Sequence, residues 1–183
     1  MPNHRSFHAP LLRAIDAQAL AVPDVDAASQ DEFEGNAYYM DLRGFRLADA
    51  ASVLQRERSI VAGWQESGVL LDLEEDESGD DPLPHLDTGV ASAVVALSVA
   101  GCVPFTSCNA GAFGGVHSAP FPIVRFFAPA NVVDLLLSCA EEAGVGLQLD
   151  DDGCVELSAV QITDMMNFAD TLVARLRARI TPW

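Results

Sequence analysis

The chain contains no lysine, and its ten basic residues, all of them arginine, face 27 acidic residues among 183. The formal net charge is therefore −17 at pH 7. Binding to nucleic acid depends on clustered cations that release counterions from phosphates, so this charge argues against a nucleic-acid partner. It equally disfavours anionic membrane surfaces. A basic protein is the class of partner that suits such a chain best.

Cations are missing most completely from the middle of the chain. No lysine or arginine occurs from residue 59 to residue 124, whereas eight acids lie between Asp72 and Asp87. A solvated acidic loop is the usual explanation of such a run, and divalent-ion binding by Asp72 and Glu74 is the alternative. His85 stands where an EF-hand needs a bidentate glutamate, so that loop pattern is not met. We predict neither a metal nor another cofactor.

Cysteine is also scarce. The four cysteines, at positions 102, 108, 139 and 154, show no disulfide-framework spacing and no zinc-ligand spacing. Free thiols of this kind are typical of a reducing compartment, and no apolar stretch is long enough to cross a bilayer. We therefore expect a cytoplasmic protein. The absence of lysine beside abundant alanine, valine and arginine indicates GC-rich coding and favours a bacterial source.

Half of the residues are hydrophobic, which is enough for a sizeable core. From residue 69 onward the pattern predicts strand, helix, strand, strand, helix, strand, then an extra strand and a closing helix. This order is that of the ferredoxin-like split βαβ fold, an α+β architecture with helices on one face of an antiparallel sheet. In that fold the strands at 69–73 and 122–127 lie side by side, which would place Arg125 near Asp72.

The helices predicted for this α+β domain begin near residues 88, 130 and 159. The first is apolar on most sides, which predicts burial on most sides. Asp87 or Thr88 is expected to cap its N-terminus, and Gly101 and Gly144 are expected to end the first and second helices. The remaining predicted strands cover 103–106, 146–149 and 154–157.

The chain divides into three predicted regions. Residues 1–46 form an N-terminal extension, with a short helix over 11–22, an acidic linker over 23–35 and a strand over 38–42. Residues 47–68 form a helical segment. Residues 69–183 form the α+β domain.

The helical segment has two interpretations. One is a continuous amphipathic helix that ends at Gly68, with Trp64 packed on the core. The other rests on the spacing of Leu54, Val61 and Trp64 within 47–70, which is similar to that of excisionase-like and MerR-like helix-turn-helix domains. In this chain Gln55 stands where those domains have a turn glycine. The resemblance implies a recognition helix over 58–66, with Arg56 and Arg58 directed at DNA.

The candidate catalytic residues lie in a glycine-rich loop at 107–118. Cys108, at the end of a strand, and His117, nine residues later, have the chemistry of a nucleophile and its general base. Such pairs are recognised by geometry and not by spacing, so a buried thiol and a partly exposed loop histidine remain the alternative.

Three further residues are candidates for ligand binding. Ser107 and Asn109 flank Cys108, and Arg125 is the only cation between residues 59 and 174. An ion pair with the acidic cluster is one role for Arg125, and a receptor for a ligand carboxylate or phosphate is the other.

The region 88–127 also resembles a protein family. A helix, Gly101, Thr106, Ser107-Cys108 and Gly111, followed by a strand, resemble small uncharacterised bacterial and phage proteins that carry a Ser-Cys-x-Gly-His signature. Here SCNAG stands in place of the signature, and His117 lies further downstream. The resemblance implies a local α/β structure and names no activity.

Three functions are therefore open. The first is a non-enzymatic binding or regulatory protein that engages a basic protein partner, as an immunity protein would. The second is a small Cys/His-dependent enzyme that uses Cys108 and His117, with Arg125 holding an anionic substrate. The third is a helix-turn-helix regulator built on residues 47–70. The oligomeric state is open as well.

Overall fold

A computed structural model of the chain describes residues 25–35, 39–67, 86–113, 119–149 and 153–180. This part of the chain mixes helix and sheet, as predicted. Its elements are α1 (Val25–Gly35), α2 (Leu47–Ser67), α3 (Ala91–Val99), β1 (Val103–Cys108), β2 (Ile123–Phe127), α4 (Val133–Ala143), β3 (Gly146–Leu149), β4 (Val155–Ser158) and α5 (Ile162–Ile180). A 3₁₀ turn, Ala130–Val132, leads into α4.

The four strands form one antiparallel sheet in the order β1-β2-β4-β3. β2 pairs with β1 along one edge and with β4 along the other. Both edges of β2 are therefore occupied, and the prediction that residues 69–73 lie beside 122–127 is wrong. The order differs from that of a ferredoxin-like sheet, and residues 69–73 themselves lie outside the described residues.

The difference arises at one gap in the sheet. β2 and β3 are parallel to each other and are connected through α4, which leaves room for one antiparallel strand between them. In a ferredoxin-like fold the first strand of the chain fills this gap. Here the second strand of the hairpin β3–β4 fills it, because that strand follows β3 after a short turn.

α3 lies within the core. All residues from Ala91 to Ser98 are buried, and the helix packs against α2, α5 and β1. This burial on all sides is what its apolar sequence predicted. Gly101 and Gly144 have φ angles of +89° and +70°, so both helices end in the predicted left-handed residue.

Residues 47–67 form one continuous helix, so the helix-turn-helix interpretation is wrong. No glycine or proline interrupts the chain from residue 47 to 62, and the helix therefore continues through Gln55. Arg58, assigned to DNA in that interpretation, donates a hydrogen bond to Asp170 of α5 at 2.9 Å. Trp64 packs edge-to-face on Phe113, with ring centroids 5.5 Å apart.

The N-terminal extension also differs from the prediction, because α1 occupies most of the expected linker. The hydroxyl of Ser29, a buried residue of α1, lies 3.1 Å from the Tyr39 hydroxyl and donates to the Asp41 carboxylate at 3.1 Å. The Arg43 guanidinium binds the same carboxylate and lowers the pKa of Asp41 to about 2. Residues 39–42 are irregular, so the predicted strand at 38–42 is wrong.

Two other predictions, the helix over 11–22 and the acidic loop between residues 72 and 85, fall outside the described residues. Of the helices described, none is both long enough and apolar enough to span a bilayer.

Candidate functional site

The predicted nucleophile lies at the end of β1. Cys108 is 8% exposed, and its sulfur accepts a hydrogen bond from the backbone N–H of Ala110 at 3.4 Å. His117 lies outside the described residues, so a catalytic pairing of the two residues stays a prediction. Within the described ranges no group of three His, Cys, Asp or Glu side chains is arranged to hold a metal ion.

Asn109 follows Cys108 and is buried. Its side-chain amide donates to the carbonyl of Thr88 at 3.0 Å, and its side-chain oxygen accepts from the N–H of Gly111 at 3.0 Å. Its own backbone N–H donates to the Asp87 carboxylate at 3.2 Å. These bonds tie the turn after β1 to the residues that precede α3. They favour a structural role for Asn109.

Ser107 and Cys108 lie on opposite faces of the sheet, because successive strand residues alternate between faces. Ser107 lies opposite Val124 in the register, whereas Cys108 lies opposite Ile123. Val124 belongs to the face that packs into the core. The structure therefore does not bring Ser107 to the same side as Cys108.

Arg125 lies on the face of the sheet away from the core, between Thr106 of β1 and Glu156 of β4 in the register. Its guanidinium lies over the ring of Phe105, 5.6 Å from the centroid, in a cation–π contact. Phe105 in turn stacks on Phe127 at 5.0 Å. The acidic cluster predicted to face Arg125 lies outside the described residues, and β4 occupies the place expected for residues 69–73.

The turn after β1 contains a backbone outlier. Ala110 has a φ of +59° and is the one non-glycine residue with positive φ in the described part of the chain. Its N–H is the group that points at the Cys108 sulfur. A left-handed residue with a Cβ is unfavourable by about 1–2 kcal/mol, so the turn stores strain beside the thiol.

We expect Ala110→Gly to raise the free energy of unfolding by about 0.5–1 kcal/mol, because glycine adopts positive φ without this strain. Ala112→Gly, two residues later in the same turn, removes no such strain. It should lower the free energy of unfolding by about the same amount, because glycine loses more conformational freedom on folding. Urea unfolding of the two variants measures both effects. A loss of stability in Ala110→Gly as large as that in Ala112→Gly would contradict the strained turn.

A buried carboxylate, which the sequence analysis did not identify, lies next to this turn. Glu57 of α2 is 3% exposed. Its Oε1 accepts hydrogen bonds from the N–H groups of Gly89 at 2.7 Å and Ala91 at 2.9 Å. Its Oε2 accepts from the N–H of Ser92 at 3.1 Å. The carboxylate therefore caps the N-terminus of α3 from a different helix.

The predicted cap of α3 by Asp87 or Thr88 is thus wrong. The residue at the N-cap position is Val90, which makes no side-chain hydrogen bond to the helix. Asp87 instead accepts the N–H of Asn109. Both carboxylate oxygens of Glu57 accept the N–H groups at the start of α3. The Asp87 carboxylate and the Thr88 carbonyl are therefore available to bind Asn109 in the turn after β1.

Opposing effects act on the protonation of Glu57. Burial raises the pKa of its carboxyl above the ordinary value of 4.5, and the hydrogen bonds from Ser92, Gly89 and Ala91 act against that rise. The positive end of the α3 dipole favours the ionised form as well. The net result is a raised pKa, which means that the hydrogen bonds offset only part of the free-energy cost of burying the charged carboxylate.

A close packing contact completes this region. Gly89 has a φ of +96°, and a Cβ built on it would lie 2.8 Å from the Cβ of Ile162, the first residue of α5. Glycine is required here both by the backbone angle and by the approach of α5. We call Glu57, residues 87–92, residues 108–111 and Ile162 the α3 junction, because they join α2, α3, β1 and α5.

One signal in the sequence marks Glu57. Ala50, Leu54, Glu57 and Val61 are the buried residues of α2, and they recur four, three and four residues apart. A glutamate at a core position of such a stripe needs partners for its charge, and backbone N–H groups at a helix N-terminus are one source of them.

The comparisons with known proteins give no family for this chain. No protein-family model matches it, and neither the curated proteins nor the solved structures contain a significant match.

Proposed function

We propose that this chain is a non-enzymatic binding protein that engages a basic protein partner through its excess negative charge. The observation that supports the proposal is the distribution of that charge along the chain. Eight acids lie between Asp72 and Asp87, and no cation occurs from residue 59 to residue 124. A long acidic stretch without cations attracts a basic surface and accelerates its association.

The ion pairs of the described residues are in keeping with this proposal. Arg43 pairs with Asp41, Arg46 with Asp49, Arg58 with Asp170 and Arg175 with Glu142. The acids in these four pairs all lie outside residues 59–124.

The setting of Cys108 gives the enzymatic alternative less support. A nucleophilic thiol must reach its substrate, whereas Cys108 is buried and its sulfur already accepts the Ala110 N–H. The continuous α2 likewise lacks the turn that a helix-turn-helix regulator requires.

Titration of the whole chain with a lysine-rich peptide tests the proposal. We expect the affinity to fall about tenfold or more when the salt concentration rises from about 50 to 200 mM, because the interaction is electrostatic and screened. Cys108→Ala should bind the peptide as the wild type does. Affinity that does not depend on salt, or that is lost in Cys108→Ala, would overturn the proposal.

A further inference from the structure

The two edges of the sheet differ in how they are protected. β1, at one edge, contains Pro104, which has no backbone N–H, its register shifts between Pro104 and Thr106, and α1 lies against it. Prolines, bulges and covering segments are devices that keep an edge strand from pairing with another chain. β3, at the other edge, has a regular register and neither proline nor charge. No described element pairs with its free side.

The hydrogen bonds of β4 alternate between its two neighbours. The N–H of Ala159 donates to the carbonyl of Pro122 at 3.0 Å, one step beyond the last register pair of β2 and β4. In an antiparallel ladder, pairs that exchange hydrogen bonds alternate with pairs that do not. Leu157 and Val155, two and four residues before Ala159, therefore bond to β2. The residues between them bond to β3.

The same alternation decides which backbone groups β3 presents at its free side. Gly146 and Gln148 lie opposite the β4 residues that bond to β3. Leu147 and Leu149 lie opposite the other two, so their N–H and C=O groups point away from β4. These four groups make no hydrogen bond to another described residue. The two leucines are about 6.7 Å apart along the strand, which is the spacing at which an added strand bonds.

A carboxylate lies one strand in from this edge. Glu156 of β4 is opposite Gln148 of β3, and both belong to the face of the sheet away from the core. Glu156 makes no hydrogen bond or ion pair with another described residue. Arg125, its neighbour on β2, has its guanidinium over the ring of Phe105 instead. The negative charge next to the edge is therefore not paired with a described cation.

We propose that the free edge of β3 binds an extended segment of a basic partner protein, which adds a fifth strand to the sheet. The N–H and C=O groups of Leu147 and Leu149 bind its backbone, as in other complexes formed by strand addition. A lysine or arginine opposite Gln148 lies on the same face as Glu156 and is long enough to reach its carboxylate. The residues on either side of this cation face the helices and are apolar.

A second copy of the chain suits this edge less well. Pairing of two β3 edges would place Glu156 of both copies on one sheet, and each chain carries a net charge of −17. This charge acts against self-association and favours a basic segment. The proposal goes beyond the proposed function, because the edge lies outside residues 72–87, and it rests on that function only for the basic character of the partner.

Three labelled peptides of one sequence test the proposal against the full-length protein. The parent peptide has a lysine between two valines, with serines and threonines on both sides. The second is N-methylated at the two valines, and the third at the lysine and at the residue two positions after it. In the added strand the valine amides point at β3 and the other two point away. We expect the second peptide to bind at least about tenfold more weakly than the parent and the third to bind about as tightly.

Amide hydrogen exchange shows where the parent peptide binds. We expect the amides of Leu147 and Leu149 to exchange at least about tenfold more slowly in the complex, because they gain an acceptor. The amide of Gln148 already bonds to β4 in the free protein and should change much less.

Matched substitutions test the contribution of charge. Glu156→Gln should weaken binding of the parent peptide about two- to fivefold, since the lysine loses its carboxylate. Gln148→Lys should weaken it at least as much, because it puts a like charge beside the lysine, and Gln148→Glu should strengthen it. Glu34→Gln removes an exposed acid of α1, which lies at the other edge of the sheet, and should leave the affinity unchanged.

The outcomes that contradict the proposal are distinct. Equal affinity for the two N-methylated peptides, or unchanged exchange of the Leu147 and Leu149 amides, would overturn it. Self-association that protects these amides and that the parent peptide cannot reverse would assign the edge to a second copy of the chain and overturn it as well. These outcomes leave the proposed function intact, because that function fails only if binding of the lysine-rich peptide does not depend on salt or is lost in Cys108→Ala.

Discussion

Replacing Glu57 by alanine is expected to lower the free energy of unfolding by about 2–4 kcal/mol at pH 7. The substitution leaves the N–H groups of Gly89, Ala91 and Ser92 buried without their acceptor. The relief of removing a buried charge offsets part of this loss, which is why the expected value is not larger. Urea unfolding monitored by circular dichroism measures the difference.

Glu66→Ala is the matched control, because Glu66 lies on the same helix and is exposed. Its free energy of unfolding should stay within about 0.5 kcal/mol of the wild type. Equal losses in the two variants would mean that Glu57 contributes only to helix propensity, and would refute its role as the cap of α3.

The pH dependence of the same site has a defined sign. Because the pKa of Glu57 is raised in the folded protein, its contribution to stability is fully present below the unfolded value of 4.5 and is lost as the pH rises through the raised value. The Glu57→Gln variant has no ionisable group at this position and serves as the reference. The stability of the wild type relative to Glu57→Gln should therefore decrease as the pH rises from below 4.5. A difference that is constant with pH would contradict a raised pKa.

The second large effect is expected for Gly89→Ala, which should lower the free energy of unfolding by about 2–4 kcal/mol. Alanine is strained at a φ of +96°, and its Cβ would meet the Cβ and Cγ2 of Ile162 at 2.8 Å. Any shift that relieves this clash also moves the N–H that donates to Glu57. Thermal and urea unfolding both measure the loss.

Gly144→Ala provides the control for backbone strain alone. Gly144 also has a positive φ, but a Cβ there meets nothing within 4 Å, so we expect a loss of about 1 kcal/mol. The Ile162→Ala substitution removes the Cγ2 and Cδ1 atoms, which lie 2.8 and 3.3 Å from the added Cβ, and keeps the Cβ of residue 162. In that background Gly89→Ala should therefore cost about 1 kcal/mol less than in the wild type. Losses that are simply additive would show that Ile162 does not set the requirement for glycine.

The α3 junction bears on the proposed function through its position in the chain. α2 ends at Ser67, and the described chain resumes at Leu86, immediately before the junction. The bonds of Glu57 hold α2 and α3 together, and they thereby fix the two ends of the acidic stretch relative to each other.

The elements with a strong local pattern were predictable from the sequence. The strand at 123–127, the hairpin of β3 and β4, and the buried α3 follow from runs of apolar residues bounded by proline or glycine. The left-handed ends at Gly101 and Gly144 follow from the conformational freedom of glycine. Each of these depends only on residues that are near one another in the chain.

The errors concern choices between distant segments. The segment 69–73 was predicted to lie beside β2, whereas β4 lies there, and local sequence does not decide which strand fills that gap. The cap of α3 was assigned to Asp87 or Thr88 because they are adjacent in sequence, whereas Glu57 caps it from another helix. The segment predicted as a linker contains α1, in which Ser29 is buried. Its partners, Tyr39 and Asp41, lie ten or more residues away, so the local sequence of the segment does not indicate this burial.

The most direct test of the acidic binding surface compares two triple variants that carry the same change in charge. One neutralises acids of the stretch without cations, and the other neutralises exposed acids elsewhere: Glu74→Gln, Glu75→Gln and Glu77→Gln against Glu34→Gln, Asp134→Asn and Glu141→Gln. Calorimetric titration with the lysine-rich peptide should show an affinity reduced about tenfold for the first variant and less than about twofold for the second. Equal reductions in the two variants would show that the peptide responds to net charge alone and would contradict a binding surface in this stretch.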